Sequence, residues 1–223
     1  MVLFTKEEIM INRQIAFDEV KKIVSKNPQA MLKNHNYGEM TPIDSSGFSE
    51  IFGSQVILTN EVFEFLSAVQ EVTSLEEKEF PFFLYGKEID ENIILFDDYY
   101  SQSSERTTTT ANFSTAMIDD LTEKIKQPGI IVCHGHSHPE KGSFYQDFSL
   151  GDLTSYLQMT ENKPFKQREA FLLGGLVADN QLKFLFYDQD ANEFYRFANI
   201  LVRDKQGGLK NGAKLNVNAK KKR

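Results

Sequence analysis

The stretch "IIVCHGHSHP", residues 130–139, constrains the chain more than any other. An apolar run leads into histidines at every second position, His134, His136 and His138, and then into Pro139. Such a run reads as a strand that enters a buried sheet. Residues two apart on a strand share a face, about 6.5–7 Å from each other. His136 and His138 can therefore both reach one metal ion at the strand's end. Pro139 favours an extended His138 and keeps the pair aligned. Two imidazoles suit zinc, and a third ligand must come from elsewhere. His134 sits two residues deeper on the same face and reads as a satisfied neighbour, not a ligand. Cys133 reads as a small buried apolar residue.

The rest of the chain is consistent with a strand of this kind inside a mixed sheet. "QVILT", 55–59, reads as a short strand, and "NEVFEFLSAVQEV" follows as a helix with Val62, Phe63, Leu66, Val69 and Val72 as its apolar stripe. "EFPFFLYG", 79–86, is a buried strand ended by Gly86, and Pro81 marks its start as an edge or bulge. "NIILFDDYY", 92–100, pairs back on it across the turn "KEIDE". "SQSSERTTTTANFS" reads as a polar loop, and a helix capped by Ser114 follows. "SLGDLTSYLQM" is a short helix; "EAFLLGGLV", "QLKFLFYD" and "EFYRFANILV" close the chain as strands. Strands and helices mix, with hairpins among them, which predicts an α/β fold with a mixed sheet flanked by helices.

The residues around this strand bring further chemistry. Ser149 and Asp152 have the spacing of a helix start, with Ser149 as cap and Asp152 in the first turn. There the helix dipole favours an ionised carboxylate, and a metal ligand must be ionised. The same pattern is also that of a plain helix cap. Asp147, in the same loop, is the rival for the third ligand. A catalytic metal site also needs a carboxylate outside the ligand set to handle protons. Glu76, Glu77, Glu79, Asp97 and Asp98 compete for that place. Glu79 stands out because it sits at the mouth of the apolar strand, where burial would raise its pKa.

Together, Glu79, His136-Ser137-His138-Pro139 and Ser149-x-x-Asp152 resemble the JAMM motif of the JAB/MPN metalloproteases. Glu79 and Gly86 have the spacing of that family's opening strand, and "QVILTNEVFEFLSAVQEV" resembles its first strand and helix. The resemblance covers about residues 54–190 and departs in two places. Ten residues separate His138 from Ser149, so the match requires a loop longer by about three. The bulky "EFPFF" bears on the shape of the substrate groove. The resemblance implies an MPN-like, cytidine-deaminase-like mixed β-sheet flanked by helices; the N-terminal helical extension lies outside it. The resemblance implies Zn2+ held by His136, His138 and Asp152, with Glu79 as general base and later acid, and Ser149 donating to the developing oxyanion. It also implies a protein or peptide substrate, often an isopeptide bond of a ubiquitin-like conjugate, whose extended tail would meet the loop "SQSSERTTTTANFS".

Three function classes follow: a zinc isopeptidase or peptidase, an MPN-type binding module without activity, and a metal hydrolase of small amides. The intact Glu79 and Ser149 favour an enzyme.

Composition sets the boundaries. Residues 5–26 predict an amphipathic helix, with Thr5 and Glu8 as a capping box, and 28–53 a loop, so that 1–53 form an extension to a domain at 54–203. Residues 205–223 hold seven Lys or Arg and no acid, and 204–223 read as a basic disordered tail. The remaining body carries 18 basic against 32 acidic residues, a net of −14, which argues against nucleic-acid binding except for a weak contact through the tail. The pair Gly207-Gly208 reads as part of that flexible tail. No apolar run is long enough for a membrane span, and no secretory signal opens the chain. One cysteine in 223 residues rules out an internal disulfide and suits the cytoplasm.

Overall fold

The computed structural model describes residues 45–107, 111–139 and 146–215. Ten strands are present among them: β1 (Ser49–Thr59), β2 (Pro81–Asp90), β3 (Ile93–Tyr100), β4 (Ser103–Arg106), β5 (Ala111–Phe113), β6 (Ile130–Ser137), β7 (Phe171–Ala178), β8 (Gln181–Asp188), β9 (Glu193–Arg203) and β10 (Leu209–Asn211). The helices are α1 (Asn60–Glu76), α2 (Thr115–Lys124), α3 (Leu150–Thr160) and the short α4 (Lys163–Lys166). The expected helix at 5–26 lies outside the described residues.

The principal sheet runs β1-β3-β2-β6-β7-β8-β9, and β9 pairs again with β1. Seven strands therefore close into a barrel. This corrects the expected fold class, an MPN-like mixed sheet flanked by helices. The closure comes from β1 and β9, which lie parallel from Ser49↔Tyr195 to Thr59↔Arg203. Such a contact between distant segments leaves no local pattern. It also moves the start of the barrel to Ser49, inside the segment read as loop. Near Gly53, where φ is +70°, the β1–β9 register shifts by a bulge, which lets the strand bend into the closure.

Alternation on the central strands divides the core. Phe83, Tyr85, Ile130 and Val132 face one side, where Met117 and Leu121 of α2 and Leu153, Tyr156 and Leu157 of α3 cover them. Phe82, Leu84, Ile131 and Cys133 face the other, against Val62, Phe63, Leu66 and Val69 of α1. α1 touches β1, β3, β6, β7 and β9, strands from all round the closed sheet, so it lies on the inner face. Phe82, Phe83 and Leu84 are at most 1% exposed, and burying each contributes about 1.5–3 kcal/mol. Val72, expected in the stripe, is half-buried, and Thr73 takes the buried position beside it.

Local signals explain the helix ends. The Thr59 hydroxyl accepts the Val62 N–H at 3.4 Å to start α1, and Glu77, with φ 56°, ends it. Ser114 caps α2 as expected, accepting the Met117 N–H at 3.2 Å. Pro81 is the first residue of an interior strand, where a missing N–H is tolerated. Two segments differ from the sequence reading. The polar stretch 101–114 holds the β4–β5 hairpin. Within the expected tail, β10 pairs with β9 and Leu215 is buried, so the sheet continues beyond residue 204. Residues 216–223 lie outside the described residues. Among the described residues no helix is long and apolar enough to cross a membrane.

Candidate metal centre

The even-numbered positions of β6 face α2 and α3, so His134, His136 and His138 follow Val132 onto that side. Glu79 precedes β2 in the phase of Phe83 and Tyr85 and faces the same way. α3 brings Asp152 from its first turn. The alternation that builds the core thus delivers His136, His138 and Glu79 to one end of β6, and α3 adds Asp152.

The geometry is tight. His136 Nε2 lies 2.9 Å from His138 Nε2 and 3.1 Å from Asp152 Oδ1. His138 Nε2 lies 3.5 Å from Asp152 Oδ2 and 3.9 Å from Glu79 Oε1. Zinc–nitrogen bonds of about 2.0–2.1 Å in a tetrahedron put neighbouring ligand atoms roughly 3.3 Å apart. The two nitrogens and the Asp152 carboxylate fit that spacing. Glu79, His136 and His138 also offer ligand atoms within 4.8 Å of one another and form a buried group that could hold a metal ion. Asp152 stands closer to both imidazoles than Glu79 does, so its carboxylate is a second candidate for the third ligand beside Glu79.

Hydrogen bonds fix each group. Ser149 and Asp152 form a reciprocal cap: the Ser149 hydroxyl accepts the Asp152 N–H at 3.2 Å, and Asp152 Oδ2 accepts the Ser149 N–H at 2.6 Å. The helix-cap reading of Ser149-x-x-Asp152 is therefore seen directly, and it leaves Asp152 Oδ1 facing His136. The cap holds the carboxylate's rotamer while Oδ1 meets His136. Ser149 is buried, and a hydroxyl that accepts one bond still carries its own donor. The His138 N–H donates to the Val177 carbonyl at 2.9 Å.

Glu79 is held through its neighbours. The Phe80 N–H donates to the Ser137 hydroxyl at 3.0 Å, and the Ser137 N–H donates to the Phe80 carbonyl at 3.0 Å. The Ser137 hydroxyl also meets that of Thr73 at 2.5 Å. The Glu79 N–H donates to the Thr107 carbonyl at 2.8 Å, which ties the end of β4 to the site. Sequence reasoning did not single out Ser137 or Thr73 for this work. Thr73 carried a signal, because it continues the apolar stripe of α1 four residues after Val69. Gly135, between the first two histidines, leaves room for the Phe82 ring: a Cβ there would lie 2.2 Å from it.

The other expected residues fall elsewhere. His134 packs behind the pair, its ring 4.9 Å from that of Phe113 and 6.0 Å from that of Phe83. Asp147 does not face the histidines; it accepts Ser45 and pairs with Lys183 at 2.9 Å. Glu76 pairs with Arg106 at 2.6 Å, Asp98 pairs with Lys124, and Asp97 is exposed on β3.

Charge and burial tune the site. Burial pushes the Glu79 carboxyl up to about 8; Asp152 adds to this and His136 opposes it. Burial alone would lower His136, but Asp152 and Glu79 outweigh it and lift the imidazole to about 9. Burial would raise Asp152, yet His136 and His138 hold it well below the usual carboxylate range. Burial, reinforced by His136, lowers His134 to about 3 and keeps it neutral.

One consequence is a pH-dependent stability. Below pH 4.5 the Glu79 carboxyl is neutral in folded and unfolded chains alike, whereas between 4.5 and about 8 only the unfolded chain ionises it. Its contribution is therefore present at low pH and lost as pH rises through about 8. Metal-free wild type should lose stability relative to Glu79→Gln across that window, by up to about 1.4 kcal/mol per pH unit. Denaturant melts of both proteins at its two ends check this; a constant gap would refute it.

Neither a protein-family model nor a curated protein matches this sequence.

Proposed function

We propose that this chain is a zinc-dependent metallopeptidase that hydrolyses amide bonds. The observation that carries the reading is the convergence of His136, His138, Asp152 and Glu79, with Asp152 the nearer carboxylate to both imidazoles; we read Asp152 as the ligand and Glu79 as the proton carrier. The JAMM-like order of these residues along the chain supports it.

Zinc bound there would supply a Lewis acid that polarises a carbonyl and acidifies water. Glu79 takes a proton from the attacking water and returns it to the leaving amine nitrogen, so that amide and water become carboxylic acid and amine. In the metal-free chain burial holds the Glu79 carboxyl at about 8; a cation bound beside it would favour the carboxylate, the form that accepts the proton from water. The Ser149 hydroxyl donates to the carbonyl oxygen as it gains negative charge. Ser137 and Thr73 hold the Glu79–Phe80 segment against β6, and the capped Asp152 stays ionised.

A peptide or protein substrate, including the isopeptide bond of a ubiquitin-like conjugate, is favoured over a small amide by the β4–β5 hairpin. It is fastened beside Glu79 and offers extended backbone with which a peptide can pair. The single buried, free Cys133 suits a reducing compartment such as the cytoplasm.

The test uses a lysine-linked ubiquitin-like conjugate and an extended peptide amide as probes. Cleavage that is abolished by chelation and restored by zinc is expected. Metal bound without cleavage of either probe would instead point to a binding module, and cleavage of small amides alone to the small-molecule hydrolase.

A further inference from the structure

Asp147, displaced from the ligand set, sits at the hub of a different network. Its Oδ1 accepts the Ser45 hydroxyl at 2.6 Å and the Phe148 N–H at 2.8 Å. Its Oδ2 accepts the Ser45 N–H at 3.1 Å and pairs with Lys183 Nζ at 2.9 Å. Lys183 Nζ also donates to the Gln146 carbonyl at 2.8 Å. Two carboxylate oxygens thus gather donors from three places: the arm before β1, strand β8, and the loop that leads into α3.

The arm is itself anchored. Phe48 stacks on Phe194 at 5.6 Å, and Arg196 donates to the Phe48 carbonyl at 3.3 Å and pairs with Glu50 at 2.5 Å. Asp147 lies two residues before Ser149, whose N–H holds the Asp152 carboxylate. Phe148, between them, is buried in the core. The connection from His138 to Ser149 is ten residues long.

We infer that Ser45 and Lys183 clamp Asp147, and that this clamp sets Ser149 and Asp152 at the histidines, so that the arm before β1 is a structural part of the metal centre. Asp147 is then a positioning residue that acts through the cap of α3. The inference rests on His136, His138 and Asp152 being the metal ligands. If Asp147 merely fastened the arm to the barrel, the site would not depend on it.

Metal binding by the full chain separates the two. Asp147→Asn keeps the shape but turns an amide nitrogen towards donors that need an oxygen; Ser45→Ala removes one donor and tests the arm from its own side. Cobalt(II) and zinc affinities are measured by chelator competition, the visible cobalt spectrum reports ligand geometry, and metal-free thermal melts report the fold. Loss of an outer partner typically costs 10–100-fold in metal affinity. Asp147 stands one step beyond a group bonded to a ligand, so Asp147→Asn is expected to bind more weakly by at most about 10–100-fold, with an altered cobalt spectrum, and Ser45→Ala to shift in the same direction by less. Wild-type affinity and spectrum in both variants would overturn the inference while leaving the zinc reading intact. A wild-type chain that binds neither metal would overturn both. Should Asp147→Asn fail to fold, Ser45→Ala decides alone.

Discussion

Glu79→Gln is expected to lower amide hydrolysis by about 10²–10⁴-fold, the range a positioned general acid–base contributes, while the protein keeps its metal. Glutamine has the volume and hydrogen-bonding reach of the carboxyl but can neither accept the proton from water nor return it to the amine. Glu79 is 4% exposed, so bulk solvent cannot readily replace it. Its Oε1 is 3.9 Å from His138 Nε2, a longer separation than either imidazole has from Asp152. If Glu79 were instead a ligand, with Asp152 as the proton carrier, the same substitution would release the metal. Measuring zinc content and turnover on one preparation distinguishes these roles.

Asp152→Ala should have the opposite profile: metal lost, fold kept. It removes the anionic ligand and leaves two neutral donors, so affinity should fall by more than the roughly 10–100-fold that an outer partner costs. His136 would lose the stronger of the two neighbours that lift its pKa to about 9, leaving Glu79 alone against burial. The Ser149 N–H would lose its charged acceptor, while the Ser149 hydroxyl still accepts the backbone N–H of residue 152, at a cost of about 1–3 kcal/mol. That cost is small beside the core packed by Leu153, Tyr156 and Leu157, so α3 should persist. Retained metal in a folded Asp152→Ala protein would remove Asp152 from the ligand set.

The site was more legible in the sequence than the fold. The grouping of Glu79, His136 and His138 could be read because metal chemistry limits residue types and strand alternation limits spacing, and Asp152 was marked by helix-start spacing. Ser149-x-x-Asp152 was ambiguous between cap and ligand because the spacing fits both. Asp147 and Asp152 could not be separated by spacing alone, since both lie in or next to one loop; the Lys183 pairing that draws Asp147 away comes from β8, thirty-six residues further on. In the fold, α1, α2 and the β2–β3 hairpin were marked by periodicity and capping residues. The barrel was not, because closure depends on β1 meeting β9 across the length of the domain. The β4–β5 hairpin escaped because its polar residues carry no apolar alternation. β10 escaped because "LKN" resembles the basic segment around it, and only its pairing with β9 distinguishes it.

Elemental analysis of zinc in the purified full-length chain tests the central claim most directly. About one zinc per chain is expected, removable by chelation and restored by zinc alone. A folded wild-type chain that holds no zinc, and takes none up from excess zinc in solution, would contradict the metal centre and the peptidase reading built on it.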